Sequence, residues 1–419
     1  MVAGVFFILL FVGVPIALVL MISTLVYIFT SGQTVLLQSF SQQLFSGMES
    51  YGLLAIPLFM LAGELMNEGG ITRRLIDFAS VFVGRVRGGL AYVNLIVNMM
   101  MASIIGSAAA QIAIMSRAMV PEMEQQGYER SFAAATTAAG GLLSPIIPPS
   151  MLFVIYGVLA QIAIGDMFIA GIIPGLLMAG GFFITLALIG AKRELPLGNS
   201  DPWPQKLQSL KMGLPTLIIP LVIVGGIVAG IATPTESAAV ASVVAFILGK
   251  FLFNELKFSR MPTVLYRTAI NTSVVAFIVA AAKVFGWIIV YEKVPQTLAA
   301  QLTELTKDPF IFLLMVNVIL LGVGMILDGI AALILVVPIL LPIAQSQYGI
   351  DPFHFGVVVC INLVLGLLTP PVGAGLFVTT AMTGVKPGDL FRQLLPFLAT
   401  TLIVLILLCW QPWLVTILI

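Results

Sequence analysis

Charged side chains are scarce in this sequence. They occupy 9% of 419 positions while 60% are hydrophobic, against roughly 25% charged in soluble domains, which excludes an ordinary soluble globule. The net charge is +1 and no basic tract runs along the chain, so a nucleic-acid partner is excluded on electrostatic grounds. Cysteine is nearly missing. Cys360 and Cys409 both fall in apolar spans, leaving neither a disulfide framework nor a thiolate metal cluster. The single histidine, His354, follows Asp351-Pro352 at the start of a span; one imidazole builds no zinc or haem site, and a loop or cap role is the simpler reading. Met99, Met100 and Met101 have no thiol or imidazole partner for copper, so no transition metal and no organic cofactor is expected.

Long apolar runs are what the chain has instead, and they define an all-α polytopic membrane protein. Residues 2–29 are apolar around Gly13-Val14-Pro15, too long for one crossing of roughly 20 residues and too short for two, which predicts a short helix, a break and a second helix. Residues 31–50 are rich in Gln and Ser and suit an interfacial segment. Residues 67–89 carry Arg73, Arg74, Arg85 and Arg87 among apolar residues, the pattern of an arm lying along a membrane face. The apolar run 90–121 has a small polar centre at 103–111, and arginines flank it at both ends. It therefore enters and leaves by one face, as a re-entrant hairpin.

Two stretches organise the rest. Gly141-Leu142-Leu143-Ser144-Pro145 with Pro148-Pro149, and Gly366-Leu367-Leu368-Thr369-Pro370-Pro371 with Gly373, each lie inside a long apolar segment. Proline removes backbone donors and stops a helix there, and in a bilayer the freed groups are tolerated only inside protein or along a cavity. The two pentads stand 225 positions apart; Ser107 and Asp328 stand 221 apart, Gly165 and Gly388 223, Gly13 and Ala232 219. Offsets this steady describe a duplication. The first repeat covers 1–200, with spans in 1–66, the arm 67–89, the hairpin 90–121, a broken helix 131–164 and a span 167–191. A linker, 201–213, follows. The second covers 214–419, with spans in 214–290, an arm 291–308, a hairpin 309–345, a broken helix 353–382 and a span 390–418. Five crossings per repeat is odd, so the second repeat is inverted. Of 19 Lys and Arg residues, 16 fall on one predicted side, which the positive-inside rule makes cytoplasmic.

Two hairpins entering from opposite faces and meeting two broken helices define a central site. Ser103, Gly141, Ser144 and Ile147 correspond through the repeat to Gly324, Gly366, Thr369 and Val372, read as two symmetric sodium sites. Carbonyl and hydroxyl oxygens suit a hard cation, and their neutrality lets it leave again. Proline kinks whose polar groups are re-satisfied locally are the plainer alternative. Asp328, a carboxylate between Leu327 and Gly329, suggests function by its cost in a membrane. Three roles are open to it: holding a cation, accepting hydrogen bonds from a hydroxylated substrate, or capping the next helix. Amides and hydroxyls around Ser107, Ala108, Ser150, Gly329 and Gly373 offer an anion-binding surface at helix N-termini. Lys283 with Trp287 inside a span has two readings, contact with an anionic lipid, partner or substrate, or simple snorkelling.

Gly106-Ser107-Ala108, Ser144-Pro145-Ile146-Ile147-Pro148-Pro149-Ser150, Thr233-Pro234-Thr235-Glu236, Met325-Ile326-Leu327-Asp328 and Thr369-Pro370-Pro371-Val372-Gly373 together resemble the large membrane subunit of tripartite ATP-independent periplasmic (TRAP) transporters, over essentially the whole chain. The resemblance implies a sodium-driven importer of organic acids in the bacterial inner membrane. It also implies two partners, a small four-helix membrane subunit on a separate chain and a periplasmic substrate-binding protein, with phospholipid around them. By the same resemblance the hairpins and broken helices form an elevator-type transport domain that moves against a scaffold of the remaining spans and arms. Within the family the chain looks most like sialic-acid transporters, with C4-dicarboxylate transport next. A stand-alone sodium/organic anion symporter is the alternative. A channel would need a continuous polar pore, and an intramembrane enzyme would need a catalytic constellation where only Asp328 stands.

Overall fold

The computed structural model describes residues 2–83, 86–197 and 203–419, without the side chains of residues 2, 3, 82, 83, 103–105 and 205. Its helices come in two series of one order. The first contains α1 (Val2–Phe11), α2 (Ile16–Thr30), α3 (Leu36–Ser46), α4 (Ala55–Glu68), α5 (Ile71–Val83), the hairpin α6 (Gly89–Ile105) and α7 (Ala108–Gln125), the half-helices α8 (Arg130–Gly141) and α9 (Met151–Ala160), and α10 (Ile164–Lys192). The second contains α11 (Trp203–Gly213), α12 (Ile218–Val228), α13 (Pro234–Ile247), α14 (Met261–Tyr291) and α15 (Val294–Leu305). It continues with the hairpin α16 (Pro309–Ile326) and α17 (Gly329–Tyr348), the half-helices α18 (Pro352–Leu367) and α19 (Ala374–Thr383), α20 (Pro387–Trp410) and the short α21 (Trp413–Thr416). Among the described residues, seven helices are long and apolar enough to cross a membrane. They become eight if the pair Leu36–Ser46 and Tyr51–Glu68, bent by 45°, is one span.

Short polar signals set the helix starts. Asp308 and Asp351 each precede a proline, and their carboxylates accept from Phe310 N at 2.7 Å and Phe353 N at 2.9 Å. Such N-caps satisfy donors that the first helical turn leaves free. Thr233 and Glu236 form a complete capping box on α13, with Thr233 N donating to Glu236 Oε2 at 2.8 Å. His354 sits in the first turn of α18, but its ring is buried and contacts the Leu408 carbonyl at 2.9 Å, tying α18 to α20. Residues 198–202 lie outside the described residues, and from Trp203 onward the chain is the helix α11, packed on α5. A Cβ at Gly213 would come within 2.4 Å of Phe78, so this polar stretch covers the arm rather than hanging free.

The helices form two groups. In the span group, α2 packs on α14, α4 packs on α13, and α4 and α14 pack on each other. In the hairpin group the packing crosses between series: α9 lies on α17 and α19 on α7, α9 touches α18 and α8 touches α19, and α10 crosses α20. Buried amides bind each hairpin to its broken helix. Asn94 Nδ2 donates to Thr137 Oγ1 at 2.7 Å, and Asn362 Nδ2 donates to Asn317 Oδ1 at 2.8 Å. Thr137 and Asn362 stand 225 positions apart, the offset of the proline pentads. In the first series the network continues from Asn94 to Asn98 and on to Gln111, each link 2.9 Å, so both helices of that hairpin are joined. An unpaired amide in an apolar interior costs several kcal/mol, about 1–3 by mutation, so each side chain fixes its helix in register.

Candidate functional site

The helical chain stops at Gly141 and resumes at Met151; it stops again at Leu367 and resumes at Ala374. Pro145, Pro148 and Pro149 in the first gap, and Pro370 and Pro371 in the second, remove the donors that would continue the ladder. Each gap is held against a hairpin tip. Gly373, at φ +55°, donates its N–H to the Met325 carbonyl at 2.9 Å. Gly366 and Gly324 meet backbone to backbone: a Cβ on Gly366 would lie 2.6 Å from the Gly324 carbonyl carbon. In the first series a Cβ on Gly141 would lie 2.4 Å from Ile112 Cγ1, and one on Gly140 2.7 Å from the Asn98 amide.

The residues expected to form the first sodium site fall on α8, its gap and the hairpin beside it. Ser103 lies in α6 and its side chain is outside the described residues. Ser144 is fully buried, and its hydroxyl has no hydrogen-bond partner among the described residues. Ile147 is half-buried and packs on Gly175 of α10. In the second site Gly324 and Gly366 are in contact, and Thr369 Oγ1 donates to Leu365 O at 2.7 Å, which leaves its lone pairs free. Val372 is 40% exposed and stands at the edge. An orphaned buried hydroxyl beside proline-freed backbone is a donor set that fits a hard monovalent cation.

A cavity of about 390 Å³ opens between the two tips. Ser107 and Ala108 reach it from one hairpin, Asp328 and Gly329 from the other, and Pro145 from the first gap. Ser150 and Gly373 stand back from it. Ser150 caps α9, accepting from Phe153 N at 3.2 Å while donating to the Pro145 carbonyl, and Gly373 is occupied with Met325. Asp328 does two things at once, accepting from Ile330 N at 3.3 Å as the N-cap of α17 and facing the cavity.

The opposite wall comes from α4 and α14, through Glu64, Asn67 and Asn271. Sequence alone did not single out the two amides, and along the chain Glu64 and Glu68 lie nearest to Arg73 and Arg74. In the fold the guanidinium that reaches both carboxylates is Arg267, at 3.8 and 3.3 Å, while Arg74 pairs with Glu255 at 2.8 Å. The available signal was a polar side chain inside an apolar span, the cue that made Asp328 conspicuous. No Lys or Arg lines this cavity among the described residues. A second cavity, about 740 Å³, shares Asn67 and Thr72 with it and runs between α5 and the hairpin α6–α7 past Arg73.

Broken helices facing hairpin tips across a cavity, in a polytopic chain, are the construction of a membrane transporter rather than of an enzyme. The chain belongs to the DctM family: residues 3–414 match the model described as "Tripartite ATP-independent periplasmic transporter, DctM component". It is 38% identical over 375 residues to the C4-dicarboxylate TRAP transporter large permease protein DctM of Pseudomonas aeruginosa, covering 90% of this chain and 88% of that one. It is 37% identical over 404 residues to the sialic acid TRAP transporter large permease protein SiaM of Vibrio cholerae, covering 96% and 94%. The isethionate TRAP transporter permease protein DctMQ of Oleidesulfovibrio alaskensis is 37% identical over 414 residues, 98% of this chain and 64% of that longer one. The Alcanivorax borkumensis YdaH transporter shares the fold, with a TM-score of 0.67 at 14% identity over 96% of this chain and 98% of that one. The protein is thus a multi-pass large permease of the bacterial inner membrane, from a family that works with small membrane and periplasmic binding components.

Proposed function

We propose that this permease imports an organic acid together with sodium, taking it from a periplasmic binding protein and working beside a small four-helix subunit. Sialic acid is the first candidate substrate and a C4-dicarboxylate the second; relatives are named for both. The observation that carries the reading is the pair of helix gaps held against hairpin tips around one cavity, with the buried Ser144 hydroxyl unpartnered beside it. Ser103, Gly141, Ser144 and Ile147 would hold one sodium ion and Gly324, Gly366, Thr369 and Val372 the other. Sodium supplies the positive charge that the cavity's own side chains lack. Amides at the N-termini of α7 and α17 then receive the carboxylate.

The hairpin group moves as one body against the span group in this reading, an elevator motion. Asn67 and Thr72 border both this cavity and the one that runs past Arg73, on the side the charge distribution makes cytoplasmic, which supports an inward-open reading. Proteoliposome uptake of labelled sialic acid and succinate, each with and without a sodium gradient and the cognate binding protein, tests the proposal. Sodium-independent uptake of either acid sinks it.

Ser144 gives a sharper test with an unusual sign. A buried hydroxyl without a partner costs about 1–3 kcal/mol, so Ser144→Ala is expected to raise the melting temperature measured without sodium. The same variant should lose much of the further stabilisation that sodium gives the wild type, and its uptake should need roughly tenfold more sodium. Thr369→Ala, whose hydroxyl already has a partner, should raise the sodium requirement without the gain in stability.

A further inference from the structure

A third cavity, about 860 Å³, shares no lining residue with the first and borders α14 nearer its C-terminal end. Its walls are the end of α3, the end of α9, the second hairpin helix α17 and one face of α14. The α14 face is the telling part. Asn271 and Val275 border the substrate cavity, and Val279, Ala282, Gly286 and Val290 border this crevice. At spacings of three and four residues these positions form one stripe. The same strip of the span group thus serves both cavities, one above the other.

Lys283 and Trp287 face the crevice from that strip. Lys283 is the one Lys or Arg placed inside a span in the sequence, and it forms no ion pair with another described residue within 4 Å. Glu49 also borders the crevice, again without an ion pair to Lys283. A lone ammonium on the wall of a cavity, without a carboxylate paired to it, is a ready partner for a visiting anion. The helix α17 lies along α14, so close that a Cβ on Gly286 would stand 3.4 Å from the Pro338 side chain. A shift of the tip from the level of Asn271 to that of Lys283 spans 12 residues, roughly 18 Å of helix.

We propose that this crevice is where the organic anion first docks from the periplasm, with its carboxylate on the Lys283 ammonium and its carbon skeleton against Trp287. The assignment rests on the elevator reading above. When the hairpin group rises, the tips come level with Lys283, and the span group then offers an ammonium where the substrate cavity has Glu64, Asn67 and Asn271.

The test uses the full chain with its small subunit and binding protein in proteoliposomes, supplied with labelled sialic acid or succinate, whichever the wild type takes. Lys283→Gln is expected to raise the external KM by about tenfold, the size of one charge-assisted hydrogen bond, with the maximal rate and sodium dependence kept and Lys283→Arg close to wild type. An unchanged KM overturns the assignment. Vesicles of phosphatidylcholine alone and with phosphatidylglycerol separate the two sources of an anion. An effect seen only with phosphatidylglycerol makes Lys283 a lipid contact and overturns it too. Should Lys283→Gln not fold, Trp287→Cys decides: labelling by an impermeant thiol reagent from outside must be slowed by the acid plus sodium. Labelling that ignores them is fatal to the proposal. A wild type that takes up neither acid overturns the transport reading and the crevice with it, whereas normal wild-type uptake beside an unaltered Lys283→Gln overturns the crevice alone.

Discussion

Gly366→Ala is expected to reduce sodium-driven uptake by roughly 100-fold or more, because a displacement on the order of 1 Å at such a site has that effect. The added methyl would stand 2.6 Å from the carbonyl carbon and 2.7 Å from the Cα of Gly324. Backbone cannot swing aside as a side chain can, so the hairpin tip must back away from the gap it closes. Overpacking of this kind also costs about 1–3 kcal/mol of stability. Gly141→Ala is the internal control. Its obstruction is Ile112 Cγ1 at 2.4 Å, a side-chain atom that a second substitution can remove. Uptake by the double variant Gly141→Ala, Ile112→Ala should recover most of what Gly141→Ala loses. No neighbouring substitution should rescue Gly366→Ala, and uptake near wild type in that variant would refute the backbone contact.

The second large effect is expected at Asp328. Asparagine is as good an N-cap as aspartate, so Asp328→Asn keeps the bond from Ile330 N and changes the melting temperature little. It removes the carboxylate that faces the cavity, and uptake should fall by about 100-fold, near the cost of losing a hydrogen bond to a charged group. Side by side, thermal denaturation and initial uptake rates separate the roles. Parallel loss of both means Asp328 is only a cap. Uptake with normal sodium dependence in Asp328→Asn removes it from the mechanism.

Sequence carried much of this architecture because its decisive marks are local. Proline at 145, 148, 149, 370 and 371 breaks a helix wherever it stands, and Asp308-Pro309 and Asp351-Pro352 begin one. A repeat of such marks at a steady offset needs no tertiary information. Contacts between distant segments were different. Asn94 with Thr137, and Asn317 with Asn362, are single amides in apolar runs, and nothing along the chain says which partner each will find. The far wall of the cavity was missed for the same reason. Glu64 and Asn271 are 207 positions apart, and Glu64 resembles an interfacial charge until α14 brings Arg267 beside it. The polar stretch after residue 202 reads as a linker because its polarity is visible along the chain, whereas the α5 surface on which its helix packs is not.

The exchange of half-helices between the two series, α9 resting on α17 and α19 on α7, has a bearing on bioenergetics. On the elevator reading proposed above, neither half travels without the other, so cargo and the two proposed sodium ions would share a single ride. In that reading a chain laced in this way has no partial stroke through which a sodium gradient could drain unused.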